Sequence, residues 1–236
     1  MESSGKRAIF FDLDDTLYDH LVPFRNAVRE VIKPDESVLD VLHLFDRVRY
    51  HSDQLWPRYL QGEFSLDETR VRRMEIAFSE FGIHLSREQA TLVQQGYISR
   101  QYNIEMIEGV LPQLTRLMAE GHVVGIITNG PEDHQMSKIR GLGVDKLIPA
   151  DRIFISDAVG IAKPDPEIFA YVNRKTETEA GNSVYVGDTW HNDVVGALDA
   201  GWEMCWYNPR GKKPATDHKP HYIFRNYEEF AGLPIV

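Results

Sequence analysis

A chain of 236 residues with 42% apolar residues is long enough for one large domain, or a core with an insert, and has the composition of an ordinary globular protein. The formal charge of −10 argues against a nucleic-acid binder, which would carry a basic patch or stripe, but leaves small anionic substrates open because local field matters more than net charge. The one cysteine, Cys205, cannot form an intramolecular disulfide, no apolar run approaches the roughly 20 residues of a membrane span, and the polar residues 1–7 lack a signal-peptide core, so a soluble cytoplasmic protein with no membrane partner is expected.

The first element in the chain is the most telling. Ala8-Ile9-Phe10-Phe11 is an apolar run that reads as a strand buried on both faces, the kind found in parallel sheets. It ends abruptly in Asp12-Leu13-Asp14-Asp15-Thr16. Ligands of open α/β sheets bind outside the carboxyl ends of their strands, so these acids stand where such a sheet does its chemistry. In extended chain, residues i and i+2 point the same way; Asp12 and Asp14 therefore share a face, with Asp15 turned aside. Two carboxylates on one face repel unless a cation holds them, and Mg²⁺, a hard ion that prefers oxygen, suits them.

Residues 19–106 show no clear strand. Val38, Leu39, Val41, Leu42, Leu44, Phe45 and Val48 recur at helical spacing, as do Val71, Met74, Ile76, Ala77, Phe78 and Phe81, and then Ala90, Leu92, Val93, Tyr97 and Ile98. Breaks fall near Lys33-Pro34-Asp35, Gln61-Gly62 and Phe81-Gly82. Four helices inserted after the first strand are predicted, placed to act as a lid. Tyr50, Trp56, Arg58 and Tyr59 are its candidates for facing a pocket, although packing within the helices is the plainer reading of Trp56 and Tyr59.

From residue 107 onward strand-like and helix-like patterns alternate. Strands are predicted over 122–127, 152–155, 183–187 and 203–207, and helices over 131–141, 166–174 and 191–200. Cys205 falls in the last apolar run and reads as a buried strand residue. Repeated βα units predict an α/β fold with a doubly wound parallel sheet. The basic stretch Arg210-Gly211-Lys212-Lys213-Pro214 reads as a solvated loop rather than a phosphate grip.

Three further polar segments follow predicted strands. Thr128-Asn129-Gly130-Pro131 combines a hydroxyl, an amide and a proline at a helix start, which makes either an anion site or a plain helix cap. Lys163, in Ala162-Lys163-Pro164-Asp165-Pro166, is held by prolines and can neutralise both an aspartate and a phosphate; alone it would pass for a solvated lysine. In Val186-Gly187-Asp188-Thr189-Trp190-His191-Asn192-Asp193, the acids Asp188 and Asp193 can both reach a metal at the sheet edge, though one can equally cap the helix.

Taken in order, the two acids, the Thr, the Lys-Pro and the Gly-Asp segments resemble the haloacid dehalogenase (HAD) superfamily, over about residues 7–18 and 107–210 and in the position of the insert. The resemblance implies a HAD-like core domain of residues 1–18 and 107–236 and a helical type-one cap of residues 19–106. It also implies a Mg²⁺-dependent phosphomonoesterase that hydrolyses a small phosphorylated substrate through an aspartyl-phosphate. Asp12 would be the nucleophile. Asp14 would protonate the leaving alkoxide, activate water and bind Mg²⁺ through its backbone carbonyl. Asp12 and Asp188 would ligate the metal with Asp193 in support, and Thr128, Asn129 and Lys163 would hold the phosphate. Asp14 also separates the family's branches, because members that displace halide need no proton donor and lack it. A nucleoside 5'-monophosphate is the first substrate expected. The alternatives are a phosphomutase, with Lys33, Arg47, Arg49 and Arg58 as basic cap groups, or a non-catalytic phosphate-binding or signalling module. A monomer or homodimer without a nucleic-acid partner is expected.

Overall fold

Six apolar segments pair as one parallel sheet in the computed structural model, which describes residues 6–35 and 38–235. The polar start read at residues 1–5 lies outside them. The strands are β1 (Ala8–Phe11), β2 (Val123–Thr128), β3 (Ile153–Ile155), β4 (Ser183–Gly187), β5 (Glu203–Tyr207) and β6 (Tyr222–Phe224), in the spatial order β3-β2-β1-β4-β5-β6. The chain divides into two compact units, Met1–Asp19 with Ile104–Val236, and His20–Asn103. The second contains the helices α1 (Leu21–Val31), α2 (Val41–Leu60), α3 (Leu66–Glu80) and α4 (Arg87–Arg100). The sheet unit contains α5 (Val110–Ala119), α6 (Glu132–Gly141), α7 (Ser156–Val159), α8 (Pro166–Thr176), α9 (Gly196–Asp199) and α10 (Tyr227–Ala231).

Register decides where the polar residues emerge. Phe11, the last residue of β1, pairs with Ile126 of β2 on one side and Val186 of β4 on the other. Asp12 and Asp188, which follow β1 and β4, and Thr128, which ends β2, therefore gather at the carboxyl ends of these neighbouring strands. The winding reverses between β1 and β4, which is where open α/β sheets form their crevice. Ala8 and Phe10 pack on one face with Phe169, Tyr185 and Trp202, while Ile9 and Phe11 pack on the other with Leu114, Val124 and Phe230. With both faces covered, β1 has no solvent side, which explains its unbroken apolar run. A Cβ on Gly125 would lie 2.1 Å from the Phe10 ring, so glycine is what lets the neighbouring strand accept that phenyl group.

The helical unit folds around Phe24, Leu44, Phe45, Met74, Phe78, Val93 and Tyr97. Its helix starts are chemically marked. Asp40 caps α2 by accepting from His43 N at 3.0 Å, and Ser65 caps α3. Ser86 and Gln89 form a reciprocal capping box on α4, and each such cap contributes about 1 kcal/mol. Trp56 and Tyr59 are half-buried and pack on each other, ring centroids 4.9 Å apart, rather than joining that core. Among the described residues, no helix is long and apolar enough to cross a membrane.

Two segments depart from expectation. The helix predicted over 191–200 begins as a π-helical turn over Trp190–Val195 and becomes α-helical only in α9. Past residue 207 the chain adds β6, which extends the sheet, and α10, which with Phe224, Tyr227 and Phe230 joins the core on the Ile9 and Phe11 face. The expected burial of Cys205 is observed, and burial pushes its thiol far up.

Candidate active site

Asp12 is the first residue past β1, and its N–H still donates to Val186 O at 2.8 Å, so the sheet's ladder fixes its backbone. Its carboxylate accepts from Lys163 Nζ at 2.7 Å. The same ammonium donates to Asp193 Oδ1 at 2.7 Å and to Tyr185 OH at 2.6 Å. These three bonds use all three lysine N–H groups. Tyr185 passes the network on by donating to Ile127 O at 2.7 Å. Burial alone would pull the Lys163 ammonium down, but Asp12 and Asp193 outweigh it and hold it above the ordinary lysine value. Burial pushes the Asp12 carboxyl up to about 7 against the pull of Lys163, with Asp193 and Asp14 adding to the push.

Asp193 is carried by the π-helical turn, a feature that often marks functional sites. Its other oxygen accepts from Thr189 N at 2.8 Å. A Cβ at Gly187 would sit 2.6 Å from the Asp193 carboxyl carbon, so only glycine lets this carboxylate fold back against the strand end. Asp188 leaves β4 beside it, its carbonyl accepting from the Trp206 indole at 2.9 Å. Asp12, Asp188 and Asp193 are all buried and offer oxygens within 4.8 Å of one another. Three buried carboxylates around one point, partly balanced by Lys163, fit a divalent cation. The donor set is all oxygen, which favours a hard ion such as Mg²⁺ over zinc or copper.

Asp14 shares the edge but has its own partners. Lys138 Nζ reaches both of its oxygens, at 2.7 and 2.8 Å, and the Tyr18 hydroxyl donates to one of them. Gln135 Nε2 donates to Asp14 at 3.2 Å and to Thr128 Oγ1 at 2.5 Å. Gln135 and Lys138 stand three apart on α6, hence on one helix face. Thr128, at the end of β2, is thereby tied to Asp14 through one amide. Sequence reasoning missed Lys138, Gln135 and Tyr185; the one available signal was the i, i+3 pair on the helix that follows Thr128.

The Asn129 side chain engages the loop that carries Lys163. Its amide donates to Lys163 O at 2.8 Å and accepts from Lys163 N at 3.0 Å, a two-way clamp on the Lys163 backbone. The start of α6 is partly capped as well, with Gly130 N on Ser156 Oγ at 3.0 Å and Glu132 N on Asp157 at 3.1 Å. The 210–214 stretch corrects an expectation, because it is not simply a solvated loop. Arg210 bridges Asp15 at 3.1 Å and Asp19 at 2.9 Å, and Lys212 Nζ lies 3.3 Å from Asp188. Asp15, turned aside as predicted, meets Arg210 from a left-handed backbone at φ 59°.

Fold and site together define a doubly wound α/β protein with a buried ionic cluster at the switch between β1 and β4. Residues 6–201 match the family model for haloacid dehalogenase-like hydrolases, and the chain belongs to that hydrolase family. It is similar to N-acylneuraminate-9-phosphatase of Homo sapiens, at 28% identity over 99% of this chain and 95% of that protein. It is also similar to pyrimidine 5'-nucleotidase YjjG of Escherichia coli, at 26% identity over 95% and 96% of the two chains. A crystal structure of YfnB from Bacillus subtilis bound to magnesium superimposes with a TM-score of 0.72 at 25% identity, covering 95% of this chain and 96% of that one.

Proposed function

We infer that this chain is a Mg²⁺-dependent phosphomonoesterase of small phosphorylated metabolites, with nucleoside 5'-monophosphates as the first substrates to try. The observation that carries the reading is the Lys163 ammonium bonded to both Asp12 and Asp193 at 2.7 Å beside Asp188. That arrangement supports the reading because it suits a carboxylate nucleophile with its counter-charge beside an oxygen-ligand metal site. Similarity to an N-acylneuraminate-9-phosphatase and a pyrimidine 5'-nucleotidase supports the substrate class.

In this reading Asp12 Oδ attacks phosphorus and the ester P–O bond breaks, leaving an aspartyl-phosphate. Asp14 gives its proton to the departing oxygen. It then takes one from water as that water attacks the phosphorus, which releases phosphate and restores Asp12. Lys138 and Gln135 hold Asp14 in line for both transfers. Thr128 Oγ1 donates to a phosphoryl oxygen, and Lys163, its N–H groups engaged with Asp12, Asp193 and Tyr185, contributes its positive charge where negative charge spreads in the transition state. Asn129 contributes by fixing the Lys163 backbone. Asp12, Asp188 and Asp193 would hold Mg²⁺, joined by the Asp14 carbonyl; when bound, the ion supplies positive charge opposite the phosphoryl group. Asp14 favours this reading over halide displacement, which needs no proton donor. The helical insert is proposed to choose among substrates.

Asp12→Asn should reduce phosphate release from p-nitrophenyl phosphate to background, a loss of about 10⁴-fold or more for a deleted nucleophile. Retained turnover would sink the mechanism. EDTA should silence the wild type and Mg²⁺ restore it. A panel of phosphorylated metabolites scored by phosphate release then names the substrate.

A further inference from the structure

Beside Asp188 lies a cavity of about 260 Å³ whose wall includes Asp15, Asp19, Tyr207, Arg210 and Lys212. The chain on its far side is unusually well anchored. Asn208 donates to Lys212 O at 2.9 Å and accepts from Lys212 N at 2.7 Å, closing the 208–212 turn on itself. Arg210, at its apex, is pinned between Asp15 and Asp19. Backbone movement is thus restrained at three points, while the Lys212 side chain is 43% exposed and reaches Asp188 Oδ2 at 3.3 Å. An exposed lysine on a fixed root changes rotamer at little cost.

The charges explain why it is there. Three carboxylates crowd one point, and the three N–H groups of Lys163 are spent on Asp12, Asp193 and Tyr185. Lys212 brings a second ammonium, to the third carboxylate. A divalent ion among these oxygens would find it already on Asp188, and the two cations repel.

We propose that Lys212 is a resident counter-cation of the acid cluster: it holds Asp188 in the metal-free protein, and a divalent ion must displace it into the adjoining cavity in order to bind. Lys212 is a positioning residue in this scheme and sets how tightly the metal is held. The inference rests on the metal reading above but not on turnover, so binding alone tests it.

The test is Mg²⁺ titration of wild type, Lys212→Met and Lys212→Gln, followed by calorimetry and by tryptophan fluorescence. The Trp206 indole bonds the Asp188 carbonyl and packs against Trp190 at 4.7 Å, so it reports on this site. Both variants should bind Mg²⁺ about three- to tenfold more tightly, the scale of removing one charge near a divalent ion in a partly solvated site. Lys212→Arg, which keeps the charge, should stay near wild type. Equal or weaker Mg²⁺ binding by both charge-removing variants overturns the proposal while leaving the phosphatase reading standing. A wild type that binds no Mg²⁺, as Asp188→Asn is expected not to, overturns both.

Discussion

The two compact units bury charge in opposite ways. The sheet unit buries Asp12, Asp188 and Asp193 and sets the buried Lys163 ammonium between two of them at 2.7 Å. The helical unit half-buries a cation, Arg73, and gives its guanidinium neutral partners: Ser52 Oγ at 3.1 Å, Gln94 Oε1 at 2.9 Å and the face of Tyr97 at 5.9 Å. Burial pulls the Arg73 guanidinium down to about 10; Tyr97 and Asp53 resist while Arg70 and Arg49 push the same way. The difference teaches what each charge is for. Opposite charges in contact offset each other's desolvation and keep a carboxylate ionisable inside the protein. A guanidinium held by dipoles does mechanical work, reaching from α3 to Ser52 on α2 and Gln94 on α4.

Lys163→Met should break this contrast most severely. It leaves Asp12 and Asp193 buried without their ammonium, which costs roughly 3–5 kcal/mol, and phosphate release should fall to background. Urea unfolding of the metal-free variant measures the first effect. An unchanged midpoint would mean that the cluster is not held as ions. Lys138→Met should act more gently. Asp14 keeps Tyr18 and Gln135 but loses its cation, so kcat should fall about 10- to 100-fold, less than the roughly 10²- to 10⁴-fold that a whole general acid supplies, with KM nearly unchanged. A change confined to KM would place Lys138 with substrate binding instead.

The same contrast shows which parts of the site can be read from the sequence. Asp12 and Asp14 stand out because an apolar strand ends on them, and Lys163 because Pro164 and Pro166 follow it. Thr128 and Asp188 stand out as polar residues just past buried strands. In each case the informative neighbours lie within a few residues. Lys138 and Gln135 sit instead in a polar helix beside His134 and Ser137, where local pattern says solvent; their burial comes from Asp14, 124 and 121 residues away. Arg210 looked solvated for the same reason, since Asp15 and Asp19 lie 195 and 191 residues back. The fold was legible wherever strands were apolar runs. It failed at β6, three residues long with Ile223 exposed, after a polar stretch that hides its start. Arg73 fell among Arg70 and Arg72, and nothing local separates the arginine that reaches Ser52 and Gln94 from its neighbours.

Arg73 sharpens the helical side of the comparison. Its Nε is buried without a partner, and so is Gln94 Nε2 on a residue only 4% exposed. Arg73→Met removes the donor to Gln94 Oε1 and leaves the whole amide unsatisfied, at a cost of about 1–3 kcal/mol. Adding Gln94→Leu deletes the orphaned amide, so the double variant should recover part of that loss. A double-mutant cycle by urea unfolding gives the coupling. If Arg73→Met is neutral, the guanidinium is not a tie between helices.

The smallest effect belongs to the exposed charges of the same unit. Glu80 accepts from Arg47 Nε at 2.5 Å and from His51 at 2.7 Å, and these bonds hold its carboxyl at about 2, below its ordinary 4.5. A carboxyl depressed on folding stabilises fully above its unfolded value, and that contribution drains away as the pH falls from about 4.5 to about 2. Glu80 is open to water, however, and exposed ion pairs are screened by solvent and salt. Glu80→Gln should therefore barely lower the melting temperature at neutral pH, and less still in high salt. The small gap should close as acid protonates the wild type. A large, salt-insensitive drop at neutral pH would show that a surface pair here matters as much as a buried one, and would erase the distinction between well-partnered interior charge and solvated charge.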